Sequence, residues 1–161
     1  MNIAFFIASG VAIYSTFMAI TGKHPVHSLL YLILSLLAVA VVFFTLGAPF
    51  LAALEVIVYA GAIIVLFLFI VMMLNLGPGS ENLERIRPSD WIGPGLLSAV
   101  LFGLLVSTFF QANPSFLGGE PVHPKEVGLE LFTSYMLAVQ LAAFLLLAGL
   151  VGATHLRKRD S

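Results

Sequence analysis

Glu55 has more chemistry to offer than any other side chain, because of where it stands. It interrupts Leu51-Ala52-Ala53-Leu54-Glu55-Val56-Ile57-Val58-Tyr59-Ala60-Gly61-Ala62-Ile63-Ile64-Val65, an otherwise uncharged and mostly apolar run. A carboxylate in hydrocarbon costs about 2.5 kcal/mol or more near a helix centre, and less near its end. It is tolerated where it meets water, a polar partner on another chain, or a proton, and each of these suits ion or proton transfer. It is equally tolerated where it snorkels to the near interface or hydrogen-bonds a neighbouring helix for structure alone. Residue type and position leave both roles open. Tyr59 follows four residues later, on the same helical face. A phenol one turn from a carboxylate extends a polar track; it is also an ordinary buried tyrosine if its hydroxyl finds any acceptor. Ala60-Gly61-Ala62 is a notch of small residues that lets another backbone approach closely in lipid. Its glycine also accommodates a local π-bulge.

The remaining polar residues carry weaker signals. His24 and His27 flank Pro25-Val26, but two histidines without a third ligand make a poor zinc site; interfacial hydrogen bonding is the simpler role. Gln140 reads as an interhelical hydrogen-bonding residue. His155, beside Arg157-Lys158-Arg159, reads as part of a basic membrane edge. The pairs Ala148/Gly152 and Gly149/Ala153 have the small-x-x-x-small spacing of close helix packing. No phosphate loop, nucleotide fingerprint, serine elbow or H-E-x-x-H motif occurs. With no cysteine, this chain holds no disulfide, thiolate zinc site or iron–sulfur cluster.

The elements that position these residues are set by hydropathy. The chain has 161 residues, 60% hydrophobic and 9% charged, with a mean hydropathy of +1.09. A soluble domain carries about 25% charged residues, so too little polar surface exists to coat a water-soluble globule. A net charge of −1 offers no basic face for nucleic acid. A spanning helix needs about 20 mostly apolar residues. The charge-sparse runs predict an all-α integral membrane protein forming a single membrane domain over 1–161. Its five spans fall at about 3–21, 26–46, 50–75, 91–111 and 132–154. Thr21-Gly22, Gly47-Ala48-Pro49, Gly77-Pro78-Gly79 and Asn113-Pro114 punctuate them, and Trp91 is placed to anchor the fourth at an interface. The 47–49 connection is short enough to force a tight antiparallel hairpin. The first twenty residues lack a basic n-region and read as a retained helix rather than a signal peptide. Lys23, Arg85, Arg87, Arg157, Lys158 and Arg159 fall on one side of this arrangement and Lys125 alone on the other. The positive-inside rule then puts the N-terminus outside and the C-terminus in the cytoplasm.

Ala53-Leu54-Glu55-Val56-Ile57-Val58-Tyr59-Ala60-Gly61-Ala62-Ile63-Ile64-Val65-Leu66-Phe67, continuing to Val71-Met72-Met73-Leu74-Asn75-Leu76, resembles the third helix of the subunit J family of bacterial NADH:quinone oxidoreductase, the counterpart of mitochondrial complex I chain 6. His24-Pro25-Val26-His27-Ser28-Leu29-Leu30-Tyr31-Leu32 is similar to the start of that family's second helix. Trp91-Ile92-Gly93-Pro94 and Gly128-x-x-Leu131-Phe132-x-x-Tyr135 are similar to its later landmarks. The resemblance implies a membrane-arm subunit of a proton-translocating respiratory complex in the bacterial inner membrane. It implies that this chain binds no cofactor, with NADH, FMN, iron–sulfur clusters and quinone elsewhere in the complex. The partners it implies are the quinone-site subunit, the small antiporter-like subunits and lipid, with no nucleic acid. It further implies a π-bulge around Tyr59 to Phe67, able to relax to an α-helix beside a water path. Gly61 would be the permissive point, Glu55 and Tyr59 the polar residues along the path, and Val65 and Phe67 the bulky side chains that move. The resemblance implies an acid in many relatives where this chain has Gln140, which argues against an obligatory charge there or marks a difference between lineages. Two other roles are open to such a chain. An independent small transporter should show an inverted repeat and a midplane site, and neither is evident. A purely structural scaffold is compatible with composition alone.

Overall fold

The computed structural model describes residues 3–22, 24–73, 91–110 and 117–157. They form helices and connections, with no strand among the described residues. The helices are α1 (Ile3–Thr21), α2 (Pro25–Thr45), α3 (Pro49–Leu54), a π-helical segment (Glu55–Ile63), α4 (Ile64–Met73), α5 (Ile92–Phe110), α6 (Pro124–Phe132) and α7 (Met136–Arg157). α3, the π segment and α4 run on as one rod, Pro49–Met73. Among the described residues, four helices are long and apolar enough to cross a membrane: α1, α2, this rod, and Met136–His155 of α7. In α5 the apolar stretch counted is the shorter Ile92–Ser107. The stops at Gly77-Pro78-Gly79 and Asn113-Pro114 lie outside the described residues. So do Lys23, Arg85, Arg87, Lys158 and Arg159, which carry most of the orientation argument.

The chain divides into two compact units, residues 1–121 and 122–161. In the first, α2 is the hub, touching α1, the third rod and α5. Its apolar stripe Tyr31, Leu34, Ala38 and Val41 packs against Ala8 and Val11 of α1 and Leu101 of α5. Residues three and four apart share a helix face, so this spacing makes one continuous seam. Ala8 and Ala38 are fully buried; their small side chains bring the two backbones close. A polar clasp crosses the same seam. The Thr16 and Ser35 hydroxyls lie 2.6 Å apart and both reach the Ala12 carbonyl, at 2.8 and 3.2 Å; with one proton each, one hydroxyl donates to the other while that one donates to the carbonyl. Where no water competes, such hydroxyls take the nearest carbonyl or one another.

The α2–α3 hairpin is as tight as Gly47-Ala48-Pro49 requires. Gly47 adopts φ 87°, a left-handed conformation that glycine takes without a Cβ penalty. The Gly47 N–H donates to Phe44 O at 3.1 Å and the Ala48 N–H to Phe43 O at 3.0 Å, the paired bonds of a Schellman cap. Pro49 then opens α3 at a position where its missing N–H costs nothing.

In the second unit the connection before the last span is partly helical. Pro124 begins α6, with Val127 and Leu131 on one face and Glu126 and Glu130 on the other flank. The last span begins at Met136 rather than near residue 132. The break lies at Thr133, which departs from ideal helical geometry with φ −112° and ψ −75°, and the Tyr135 N–H bonds Glu130 O, five residues back, at 3.0 Å before a new helix starts.

Gly93 of α5 sits directly on the Tyr31 hydroxyl, where an added Cβ would collide with it. Tyr31 is buried, with the His27 ring edge-on at 5.0 Å. Gly93→Leu is therefore expected to cost about 1–3 kcal/mol through overpacking, read as a lower thermal midpoint of the detergent-solubilised chain. Gly95→Leu, where an added Cβ meets nothing within 4 Å, should leave that midpoint unchanged.

Candidate functional site

The third rod carries the predicted site residues, and its backbone is irregular there. Glu55–Ile63 is π-helical, nine residues flanked by ordinary α-helix. The Ile64 N–H donates to Tyr59 O, five residues back, rather than to Ala60 O. The expected bulge at Tyr59–Phe67 and the observed segment share Tyr59–Ile63; the observed segment begins at Glu55 and stops before Val65 and Phe67. Two local features account for the position. Ala60-Gly61-Ala62 carries the least side-chain bulk in the rod, so widened turns crowd least there. Beyond it, Ile64–Met73 is a run of large apolar residues that returns to regular α geometry.

Gly61 is the tight point. A Cβ there would lie 3.1 Å from the carbonyl oxygen of Val56, which the wide turn brings beneath it. That contact is with the π segment's own backbone.

Glu55 opens the π segment and is partly buried. Tyr59 is 50% exposed within this chain. Neither side chain is hydrogen-bonded to the other or to another described residue; their backbone groups stay within the helical ladder. They share a face, and the widened turn stacks position 59 more directly over position 55. Tyr59 stands half exposed and Glu55 partly covered by the helices of this chain. Val65 and Phe67 of α4 are also exposed. The structure thus gathers Glu55, Tyr59 and Gly61 in one π segment and sets Val65 and Phe67 just beyond its end.

Ile64 was not legible in the sequence. It is the buried residue at the junction of the π segment and α4, 5% exposed among exposed neighbours, and its N–H makes the π-type bond. In a run that is apolar all round, periodicity gives no signal for which side chain is inside. Beside the junction of α3 and the π segment lies an open apolar groove of about 420 Å³. Leu34 and Phe44 of α2, Ala52 and Val56 of the rod, and Leu101 and Leu105 of α5 line it. Among the described residues, no three His, Asp or Glu side chains gather as a metal site.

Residues 15–156 match the family of NADH-ubiquinone/plastoquinone oxidoreductase chain 6. The chain belongs to this family. NADH-quinone oxidoreductase subunit J of Escherichia coli strain K12 is 51% identical over 162 residues, covering 99% of this chain and 88% of that protein. The subunit J of Pseudomonas aeruginosa strain PAO1 is 51% identical over 164 residues, covering 100% and 99%. That of Buchnera aphidicola from Acyrthosiphon pisum is 45% identical over 159 residues, covering 97% and 93%. The similarity to this chain 6 family therefore spans the π segment and the helices around it.

The crowding at Gly61 has a measurable consequence. Alanine favours an α-helix over glycine by about 1 kcal/mol, and its Cβ would press on the Val56 carbonyl only where the turn is wide. Gly61→Ala is expected to tighten the segment. In a structure of the variant, the Ile64 N–H should bond Ala60 O in place of Tyr59 O.

Proposed function

We propose that this chain, a membrane subunit of the NADH:quinone oxidoreductase family, couples quinone reduction to proton translocation by switching its third helix between π and α forms. The observation that carries this reading is the π-helical stretch beginning at the one acid buried in an apolar run. Each residue of an α-helix advances about 100°. Absorbing or releasing one surplus residue therefore rotates one end of the rod against the other by about that angle. Backbone hydrogen bonds are exchanged in the process, i−5 for i−4, and none is lost. Two such packings can differ by only a few kcal/mol, as a switch requires.

Rotation of α4 would carry Val65 and Phe67 into or out of a narrow passage. Apolar side chains in a constriction break a water chain by dewetting it. Glu55 and Tyr59 would line the polar approach, exchanging protons with that water. A change at a distant quinone site would bias the switch by contacting one form better than the other, which is a coupling free energy. On this reading the chain is one multi-pass membrane domain of five spans in the bacterial inner membrane, its N-terminus outside and its C-terminus cytoplasmic. Its partners are the quinone-site subunit and the small antiporter-like subunits, with lipid filling the remaining faces. The flavin, iron–sulfur clusters and quinone reside on those and other subunits. This chain supplies movement and water access.

Gly61→Val tests the switch in assembled complex. Quinone-linked turnover and proton pumping should fall at least threefold, while NADH oxidation with hexacyanoferrate stays at the wild-type rate. Wild-type coupling in that variant would remove the gate. Glu55→Gln separates the roles further. A gate predicts altered turnover after normal assembly; a scaffold predicts less assembled complex or no change.

A further inference from the structure

The structure assigns Leu117–Gly118 as a strap that pins the α2–α3 turn, making α3 the fixed end of the third rod; the assignment rests on the switching role proposed above. A helix that absorbs a surplus residue must rotate at one end or share the rotation between both. Which end moves depends on what holds each.

The α3 end is held at several points. The Schellman cap closes the Phe43 and Phe44 carbonyls, and the Leu46 N–H closes that of Val42 at 3.0 Å. The carbonyls of Thr45 and Leu46 remain, at the very end of α2. The Leu117 N–H donates to Thr45 O at 3.0 Å, from a segment more than seventy positions further along the chain. Gly118 then lies directly against the Leu46 carbonyl, where an added Cβ would collide with both its oxygen and its carbon. This approach needs a residue without a side chain, and the sequence has Gly118-Gly119 at that point. Thr45 itself is buried, its hydroxyl bonded to Val42 O at 2.8 Å. Ala52, one turn into the rod, is buried against the hairpin, and its N–H bonds Ala48 O at 3.0 Å.

Among the described residues, the α4 end is held by less. Ile64 is its buried residue, and most of Val65–Met73 stands exposed. The register change is therefore delivered to α4, the end that carries Val65 and Phe67. Leu117 and Gly118 are positioning residues in this account. They touch no proton path. They act by denying α3 its share of the rotation, and they do so only if the strap stays shut through turnover.

That requirement can be tested in the whole complex. The chain has no cysteine, so Leu46→Cys with Leu117→Cys introduces one pair across the strap, its closure read as loss of both free thiols; each single substitution under the same oxidation is the control. Oxidation of the assembled double variant should leave quinone-linked turnover within twofold of its reduced form. Loss of turnover on oxidation, restored by reductant, would show that the strap must open, and would overturn the assignment. Gly118→Val should lift the strap from Leu46. Its expected signature is a turnover at least threefold lower per assembled complex, with the quinone KM and the hexacyanoferrate rate unchanged. A scaffold defect would instead lower the amount of complex and both rates together. Wild-type turnover in assembled Gly118→Val complex would also overturn the assignment; if that variant does not assemble, the tether alone decides. Failure of the strap leaves the Gly61→Val result untouched. Wild-type coupling in Gly61→Val complex removes the gate, and with it the task given to the strap.

Discussion

In hydrocarbon, every backbone N–H and C=O must find its partner within the protein, because no water is there to take its place. The first unit of this chain is organised around that demand. Its long helices satisfy themselves internally, so the difficult places are the helix ends and the one stretch where the ladder changes step. At the end of α2 the solution is a Schellman cap followed by a donor brought from residue 117. At Glu55–Ile63 it is a π-helix, which keeps its N–H groups bonded while widening the turn. The same constraint explains why such a segment can serve as a moving part. A helix that swaps i−5 for i−4 bonds passes between two satisfied states, whereas a broken helix would strand its polar groups.

Packing divides the first unit into a firm side and a loose one. α1 and α2 share a seam of small and medium apolar residues, joined by the Thr16–Ser35 hydroxyl contact. α5 joins them through Gly93 on Tyr31 and through Leu101. The third rod leans on α2 through Ala52 and Ile64 and otherwise shows large apolar side chains outward. In membranes, small residues and shared hydroxyls hold helices together more effectively than bulky side chains, which lipid accommodates equally well.

Much of this was legible before any coordinates. The bounds of α1 and α2 follow from charge-free runs ended by Gly22 and Gly47, and the tight hairpin follows from a connection only three residues long. Glu55 stood out because a charge among apolar residues is costly, and Gly61 because a glycine within a notch of small residues accommodates a π-bulge. Three features were hidden. α6 lies in a stretch read as loop, although Pro124 at a helix start with Val127 and Leu131 at i,i+4 spacing was there to be seen. The late start of α7 follows a turn at Thr133–Tyr135, where the Tyr135 N–H takes Glu130 O, a choice between local hydrogen bonds that hydropathy does not register. The segment at 117–118 reads as an unremarkable Gly-Gly turn until it is set beside Leu46.

Composition and the order of apolar runs by themselves determined that this chain is helical and membrane-embedded, and which residue pairs an acid with a flexible backbone. Those properties are local: transfer of side chains into lipid, and the conformational latitude of glycine and proline, act over a few residues at a time. Tertiary structure alone decided where the π turns begin, which side of an evenly apolar helix is buried at Ile64, and what closes the last carbonyls of α2. Each of these depends on atoms far apart in sequence, or on competition between near-equal hydrogen bonds, and only the packed helices settle it.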